Sequence, residues 1–455
     1  MPEVTEAFAA FAARTRLEDI PPALVRQTKL ILLDLIGCTL VGGSVDKGRI
    51  AVEFARSLGA ASEATIPGVA ARTSAAGAAF ANGELMNALD WDPIPHTLPC
   101  VVPAVLAVAE RERATGAALL VGLALAQEIS VRLAEALPRD LEAAPHGYGS
   151  CIFGGAAGAG HVLKLSAGQM ANAFGFAGFA APVPAMTRFE GGAAIPMTKY
   201  IPAGWVAQGS VTAALLAALG YTGDPRILDE PQAFWRFFAG DEARWKPERL
   251  VEGLGTVWRT AAPWYKPYPC EILIGMAVNR LYQLMRENGL APDEIEGMEF
   301  KSLPLLANGC HTSTNVVSHV EAQFSVPYAL AVAALGFEPG PAWQAAGTLS
   351  DPGVKRMMER VAVGVHPDAE AWAKGQGSGS AYGVIPCSLV VTARGRRFDA
   401  DPDEEPGMTE DEIIAKFAKN AAAVLPPAKA AAAQAAILGL EGLADVSTLM
   451  DDLRP

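Results

Sequence analysis

From Pro22 to about Gly220 the apolar residues of this chain recur at helical spacing almost without interruption, with Pro, Gly and Ser as punctuation. Strand signals are nearly absent over that length, so the apolar stripes of successive helices have to be buried against one another rather than against a sheet. Pro22 suits a first helical position, and Leu24, Thr28, Leu32, Leu35 and Ile36 share a face up to a stop at Gly42-Gly43. Further helices are expected over about 47–59, 74–89, 101–113 and 116–137. Ser166 and Gln169 have the spacing of a capping box that opens another through about Phe179, and one over about 200–218 ends at Gly220. Gly154, Gly155, Gly158 and Gly160 fall inside an apolar helical run, where each glycine costs about 1 kcal/mol relative to alanine. Close helix–helix approach compensates for such a cost. A phosphate-cradling loop would need a strand ahead of the glycines, and none is predicted.

After about residue 268 the texture changes. Strand-like runs at Met298 to Lys301, Val361 to Val365 and Ser388 to Thr392 lie among helices predicted over about 270–287 and 322–335, and Arg394-Gly395-Arg396 reads as a turn before Arg397-Phe398. From Thr409 helical patterning returns through Ile413, Ile414, Phe417 and the Ala-rich run 428–438. That segment is too small to fold alone and should pack back on the N-terminal helices. The expected fold is mainly α with an α+β part: a large helical domain made of residues 1–267 and 403–455, and a smaller α+β domain over residues 268–402.

Thirty-six Lys and Arg against forty-nine Asp and Glu give a net charge of −13. Nonspecific attraction to nucleic acid or anionic lipid is therefore disfavoured, and an anionic substrate must be met by a few local cations. Apolar stretches such as Ala117 to Ala126 look too short, and too closely flanked by charge, for a membrane span of ~20 residues. Met1-Pro2-Glu3 is acidic where a signal peptide is basic, so a cytoplasmic location is expected. Six cysteines stand far apart without a CxxC pair, which excludes thioredoxin-like and common zinc motifs and suggests reduced, buried thiols.

Chemistry concentrates at four places. In Asn87-Ala88-Leu89-Asp90-Trp91-Asp92-Pro93-Ile94-Pro95-His96-Thr97 the two prolines stop a helix, leaving Asp90 in its last turn and His96 on a loop. A helix C-terminus disfavours a carboxylate, so Asp90 needs a partner such as His or Lys. A carboxylate and an imidazole on one rigid turn suit proton transfer; turn stabilisation and a metal site are the alternatives. His146 and Ser150 in Pro145-His146-Gly147-Tyr148-Gly149-Ser150-Cys151 could face a cavity, while His161 reads as a hydrogen-bonded core residue. Lys199 stands ahead of a long apolar helix, either snorkelling or clamping a substrate carboxylate. Trp264-Tyr265-Lys266-Pro267-Tyr268-Pro269-Cys270 lies at the predicted domain junction, where ligand clefts prefer to form, which makes Lys266, Tyr268 and Cys270 substrate-binding candidates. His311 and His319 are expected at the surface or a hinge, and the Gly375 to Gly383 turn could offer backbone N–H groups to an anion.

Taken in order, several stretches resemble the MmgE/PrpD family along nearly the whole chain. They are Leu33-Asp34-Leu35-Ile36-Gly37, Asn82-Gly83, Leu89-Asp90-Trp91-Asp92 with His96, Phe153-Gly154-Gly155-Ala156-Ala157, and Lys199 with Ala203-Gly204-Trp205-Val206-Ala207-Gln208-Gly209. Tyr221-Thr222-Gly223-Asp224-Pro225, Ile227-Leu228-Asp229, Lys266-Pro267-Tyr268-Pro269-Cys270 and Phe324-Ser325-Val326-Pro327-Tyr328-Ala329-Leu330 complete the match. The resemblance implies a helical domain and an α+β lid domain, a homodimer, a cleft between the domains, and acid/base chemistry beside a carboxylate without organic cofactor or metal. By the same match Asp90, His96 and Lys199 fall at catalytic positions, Tyr328 is a lid contribution, and His146 stands near a second active-site His. Arg188 and Lys266 would help Lys199 hold a carboxylate, with His96 or His146 as base or acid oriented by Asp90. Gly275 and Pro202 replace imidazoles common in the family, and the His146 segment differs from its usual form, which points away from a standard 2-methylcitrate dehydratase. The expected activity is a dehydratase-type lyase on a small polycarboxylate, with epimerase or isomerase, decarboxylase and non-catalytic ligand binder as alternatives.

Overall fold

The computed structural model describes residues 3–59, 61–136, 148–183, 195–232, 234–238, 246–260, 262–375, 385–399 and 407–455. Helices dominate, as the periodicity requires: Pro22–Gly42, Asp46–Ser57, Ala75–Met86, Leu98–Arg111, Gly116–Ala136, Cys151–Val162, Ala167–Ala180 and Ala203–Ala218 form the N-terminal stack. Ser166 and Gln169 make the reciprocal capping bonds expected of them. The Gly-rich helix Cys151–Val162 lies directly on Gly116–Ala136. A methyl group at Gly154 would fall on the Ala126 carbonyl and the Ser130 hydroxyl, one at Gly158 on the Gly122 carbonyl, and one at Gly155 on Ser210 of a third helix. Close approach, not phosphate binding, accounts for these glycines.

Three details depart from the sequence reading. The helix expected to reach residue 89 stops at Met86 with Asn87 as its cap, so Asp90 sits beyond the last turn instead of inside it. A short hairpin, β1 (Ala64–Thr65) with β2 (Arg72–Thr73), interrupts the helical run. Gly116–Ala136 is 21 residues long and apolar enough to match the length of a membrane span, although the stretch within it looked too short. It is largely buried inside the protein, and its Glu128–Arg132 ion pair is enclosed with it.

The α+β unit carries a four-stranded sheet of β3 (Ile295–Ser302), β4 (Val361–Val365), β5 (Ser388–Ala393) and β6 (Arg396–Asp399), in the order β4-β3-β5-β6. β4 joins β3 in parallel (Met298↔Val361), and the other pairings are antiparallel. Arg394 (φ 54°) and Gly395 (φ 66°) form the two-residue turn between β5 and β6, both in the left-handed region that such hairpins demand. The helix predicted over 322–335 is two pieces, His319–Phe324 and Val326–Ala334. Ser325 adopts an extended conformation between them, caps the second, and Pro327 follows in its first turn.

Two hydrophobic cores result. One joins residues from Val4 to Tyr265 with Ile413 to Leu453, and the other runs from Cys270 to Ala393. The C-terminal helix Glu410–Ala422 returns to Pro22–Gly42, where Lys416 pairs with Asp34 at 2.8 Å. At the junction the backbones of Ile94 and Trp264 bridge each other, and Gln344 Nε2 donates across it to the Leu89 carbonyl and, within the α+β unit, to that of Pro269. All six cysteines are free and buried.

Candidate active site

The segment from Asn87 to Thr97 connects two buried helices, and its residues are held in positions a relaxed turn would not choose. Asp90 has φ 55° and Lys199 has φ 49°, both in the left-handed region. For a side chain as long as lysine this is an uncommon, strained conformation, of the kind that persists when surrounding contacts over-determine it. The contacts here are polar and buried. Asp90 Oδ1 accepts from Lys199 Nζ at 2.8 Å and from the Tyr200 hydroxyl at 2.7 Å, while Oδ2 accepts from Lys266 Nζ at 2.6 Å. Lys266 also donates to the Asp90 carbonyl at 3.0 Å. Lys199 completes its three bonds with the Asn87 carbonyl at 2.8 Å and Gln323 Oε1 at 3.1 Å. None of these three charged side chains is more than 1% exposed.

Charge balance decides their protonation. Burial pushes the Asp90 carboxyl up, but Lys199, Lys266 and His96 outweigh it and hold the group well below 3.8. Burial brings Lys199 down to about 8 in spite of Asp90, whereas Asp90 and Asp92 overcome burial at Lys266 and raise it. One carboxylate thus serves two ammonium groups, and Lys199 is the one closer to giving up its proton.

A second carboxylate completes the arrangement. Asp92 Oδ2 lies 2.7 Å from His96 Nδ1, and Asn87 Nδ2 donates to Asp92 Oδ1 at 3.1 Å. The residue that orients His96 is therefore Asp92 and not Asp90, whose two oxygens are taken by the lysines and Tyr200. The Tyr200 hydroxyl stands 3.1 Å from both ring nitrogens of His96 and accepts from Asn87 Nδ2 at 2.9 Å. Burial, then Asp90 and Asp92, push the Tyr200 phenol well above 10, so it is a neutral donor. Asp90, Tyr200, His96 and Asp92 stand in succession within hydrogen-bonding distance of one another and form one buried acid/base cluster.

Other predicted residues are placed differently. Tyr328 is buried in the α+β core and donates its hydroxyl to the Trp343 carbonyl, outside the Asp90 cluster. Tyr268 stacks on Trp343 with centroids 5.8 Å apart, and lines a cleft of about 390 Å³ together with Trp91, Asn279, Glu412 and Lys416. That cleft shares Trp91 with the turn but not His96 or Lys199. Cys270 is buried, which pushes its thiol well above 9 and leaves it neutral. His146, Arg188 and most of the Gly375 to Gly383 turn lie outside the described residues. His161 is half-buried, with Nδ1 2.9 Å from the Ala12 carbonyl. His311 and His319 are not at the surface: they are 0% and 6% exposed, because the segment between β3 and Val326–Ala334 folds inward over Phe324 and Tyr200.

The sequence reading missed Asp92 and Tyr200 as functional residues, although each is next to or near one that it chose. Gln323 and Gln344 gave no signal: amides one face apart from an apolar helix carry no charge to mark them. They fix the turn by donating to the carbonyls of Ala88 and Leu89. Among the described residues no three His, Cys, Asp or Glu side chains are grouped as metal ligands.

Comparison with known proteins places the chain in a family. Residues 6–246 match the MmgE/PrpD N-terminal domain and residues 268–441 match the MmgE/PrpD C-terminal domain. Curated relatives include the cis-aconitate decarboxylase of Aspergillus terreus (strain NIH 2624 / FGSC A1156), 25% identical over 367 residues, or 72% of this chain and 71% of the relative. Cis-aconitate decarboxylase from Homo sapiens is 23% identical over an alignment of 484 residues that covers 98% of this chain and 93% of the relative. At family level these matches support a dehydratase- or decarboxylase-type function. With both of its parts matched, the chain belongs to the MmgE/PrpD family.

Proposed function

We propose that this protein is a lyase that moves a proton at the carbon beside a carboxylate of a small polycarboxylate and so eliminates water or CO₂. The observation that carries this reading is the buried cluster Asp92–His96–Tyr200–Asp90, anchored by Lys199 and Lys266. His96 is the group that exchanges the proton. Asp92 fixes its orientation and stabilises the imidazolium that forms when it acts as base. Lys199 supplies positive potential for the enolate-like charge that develops on the substrate. Its three donors are filled in this structure, and the 3.1 Å bond to the neutral amide of Gln323 is the longest of them. A substrate carboxylate would replace that amide, with the Asp90 bond retained. The relatives named cis-aconitate decarboxylase add weight to loss of CO₂. In that outcome the electron pair left on carbon is quenched by a proton from His96 or Tyr200.

The test is turnover of cis-aconitate and of a panel of hydroxy tricarboxylates in D₂O, followed by NMR for carbon-bound deuterium and for product. Net elimination is expected. Asp92→Asn should keep the fold and lower kcat by about 10²–10⁴, the usual contribution of positioned acid/base catalysis. Exchange at the α-carbon without elimination would instead establish an epimerase or isomerase. No exchange and no product from any of the panel would refute the proposal.

A further inference from the structure

The short helix His319–Phe324 presents His319 and Gln323 one turn apart on the same face, since residues four apart in a helix are neighbours. Gln323 is spent on the site: it accepts from Lys199 and donates to the Ala88 carbonyl and to Gln344. His319 is 6% exposed, and its Nε2 has no hydrogen-bond partner among the described residues. A buried polar atom left unpaired is costly and uncommon, and it calls for a partner that arrives later. The adjacent residues Val320 and Phe324 pack in a cluster that includes Tyr200, which keeps this helix against the catalytic turn.

Among the described residues the charges that act on the ring are positive. They come from Lys199 and, on the helix Asp46–Ser57, from Lys47 and Arg49. Burial first, then these three cations, bring the imidazole down to about 4, so it is neutral at pH 7. Lys47 is itself only 4% exposed, held by Glu84 at 3.2 Å and by Asn87 Oδ1 at 3.0 Å. In a protein with a net charge of −13, a buried neutral imidazole with an unpaired Nε2 that feels the field of Lys199, Lys47 and Arg49, although these are paired with Asp90, Glu84 and Asp46, marks a local place for an anion.

We propose that His319 is a substrate-carboxylate ligand of this site, its Nε2–H donating to a carboxylate oxygen on the Lys199 side. The inference rests on the polycarboxylate reading above and adds to it the residue that recognises a second carboxylate. An arriving carboxylate supplies the missing acceptor and offsets the field of Lys199, Lys47 and Arg49. The ring then becomes easier to protonate, so binding takes up a proton near pH 6.

The experiment is calorimetric titration of the full chain with tricarballylate, a saturated tricarboxylate with neither hydroxyl nor double bond to react, at pH 6 in two buffers of different ionisation enthalpy. The parent protein should bind with net proton uptake. His319→Leu should weaken binding about ten- to a hundredfold, as expected for one hydrogen bond to a charged group, and lower the net uptake by the share that His319 contributes. His319→Gln keeps a donor but cannot titrate, so it should retain most of the affinity and lose that share of the uptake. A net proton uptake by the parent no greater than that of His319→Leu overturns the proposal, because the ligand's own third carboxyl and the other groups of the site contribute equally to both, and so does a His319→Leu variant that binds like the parent. A parent protein that binds no tricarballylate and turns over no polycarboxylate overturns the underlying reading as well. Turnover together with unchanged variants overturns the His319 assignment alone.

Discussion

Replacing Asp90 with Asn removes one negative charge and almost no volume, which makes it a direct test of the charge balance at the site. The amide oxygen can still accept from Lys199 and Tyr200, but the amide nitrogen takes the place of the oxygen that accepts from Lys266, so the counter-ion and that hydrogen bond are lost together. What remains is two ammonium groups, 0% and 1% exposed, facing each other without a carboxylate. Removing one partner of a buried pair costs about 3–5 kcal/mol, because a charge is left uncompensated. The site has a partial escape. Lys199 already titrates at about 8 instead of 10.5, which at about 1.4 kcal/mol per pKa unit concedes a few kcal/mol at neutral pH. Without Asp90 it sheds its proton below pH 7, and the remaining penalty falls mainly on Lys266. At the unfolding entropy of a chain of 455 residues 1 kcal/mol moves the melting temperature by about 1 °C, so thermal melts of Asp90→Asn at pH 7 should lie about 3–5 °C below the parent. The deficit should depend on pH on both sides. In the parent the lowered carboxyl of Asp90 contributes stability that is present above 3.8 and is lost as pH falls through its folded value, so the gap closes in acid. Toward pH 10 the lysines of the unfolded chain also lose their protons, and the gap closes again. A variant whose melting temperature stays within 2 °C of the parent from pH 5 to 9 would refute this account of the cluster.

The Lys199 titration has a kinetic counterpart: kcat/KM for a polycarboxylate should fall above about pH 8, where the ammonium that attracts substrate is lost, and a flat profile from pH 7 to 9.5 would contradict that role. Packing is tested by two glycine substitutions that share a secondary-structure context. Gly158→Ala places a methyl group against the Gly122 carbonyl and Val105, and should destabilise by about 1–3 kcal/mol in chemical denaturation despite the better helix propensity of alanine. Gly168→Ala, in the open first turn of Ala167–Ala180, meets nothing within 4 Å and should stabilise by about 0.4–1 kcal/mol.

Which features were legible beforehand depended on how local their causes are. Helical periodicity, the Pro22 start, the Ser166 cap and the Arg394-Gly395 turn are set by residues a few positions apart, and each forms as read. The cost of glycines in an apolar helix was also visible, and it foretold the tight contact with Gly116–Ala136. Lys199 and His96 could be singled out because an isolated charge or imidazole beside an apolar helix is conspicuous in any sequence. Asp90 stood out for a related reason, since a carboxylate near a helix end needs a partner.

The pairing of those groups was not local, and there the sequence was silent. Asp90 and Asp92 are two residues apart and chemically identical, yet Asp90 serves two lysines from positions 199 and 266, while Asp92 serves the histidine four residues on. Only the left-handed backbone at Asp90 turns its carboxylate toward the lysines. Gln323, Gln344 and His319 enter the site because the α+β unit docks on the turn, a relation carried by long-range packing and invisible to spacing. The sequence alone determined the helical architecture and supplied the ionisable groups. The tertiary structure decided which carboxylate compensates which cation and which imidazoles are buried, because the energies of buried charges depend on distances of a few ångströms between segments far apart in the chain.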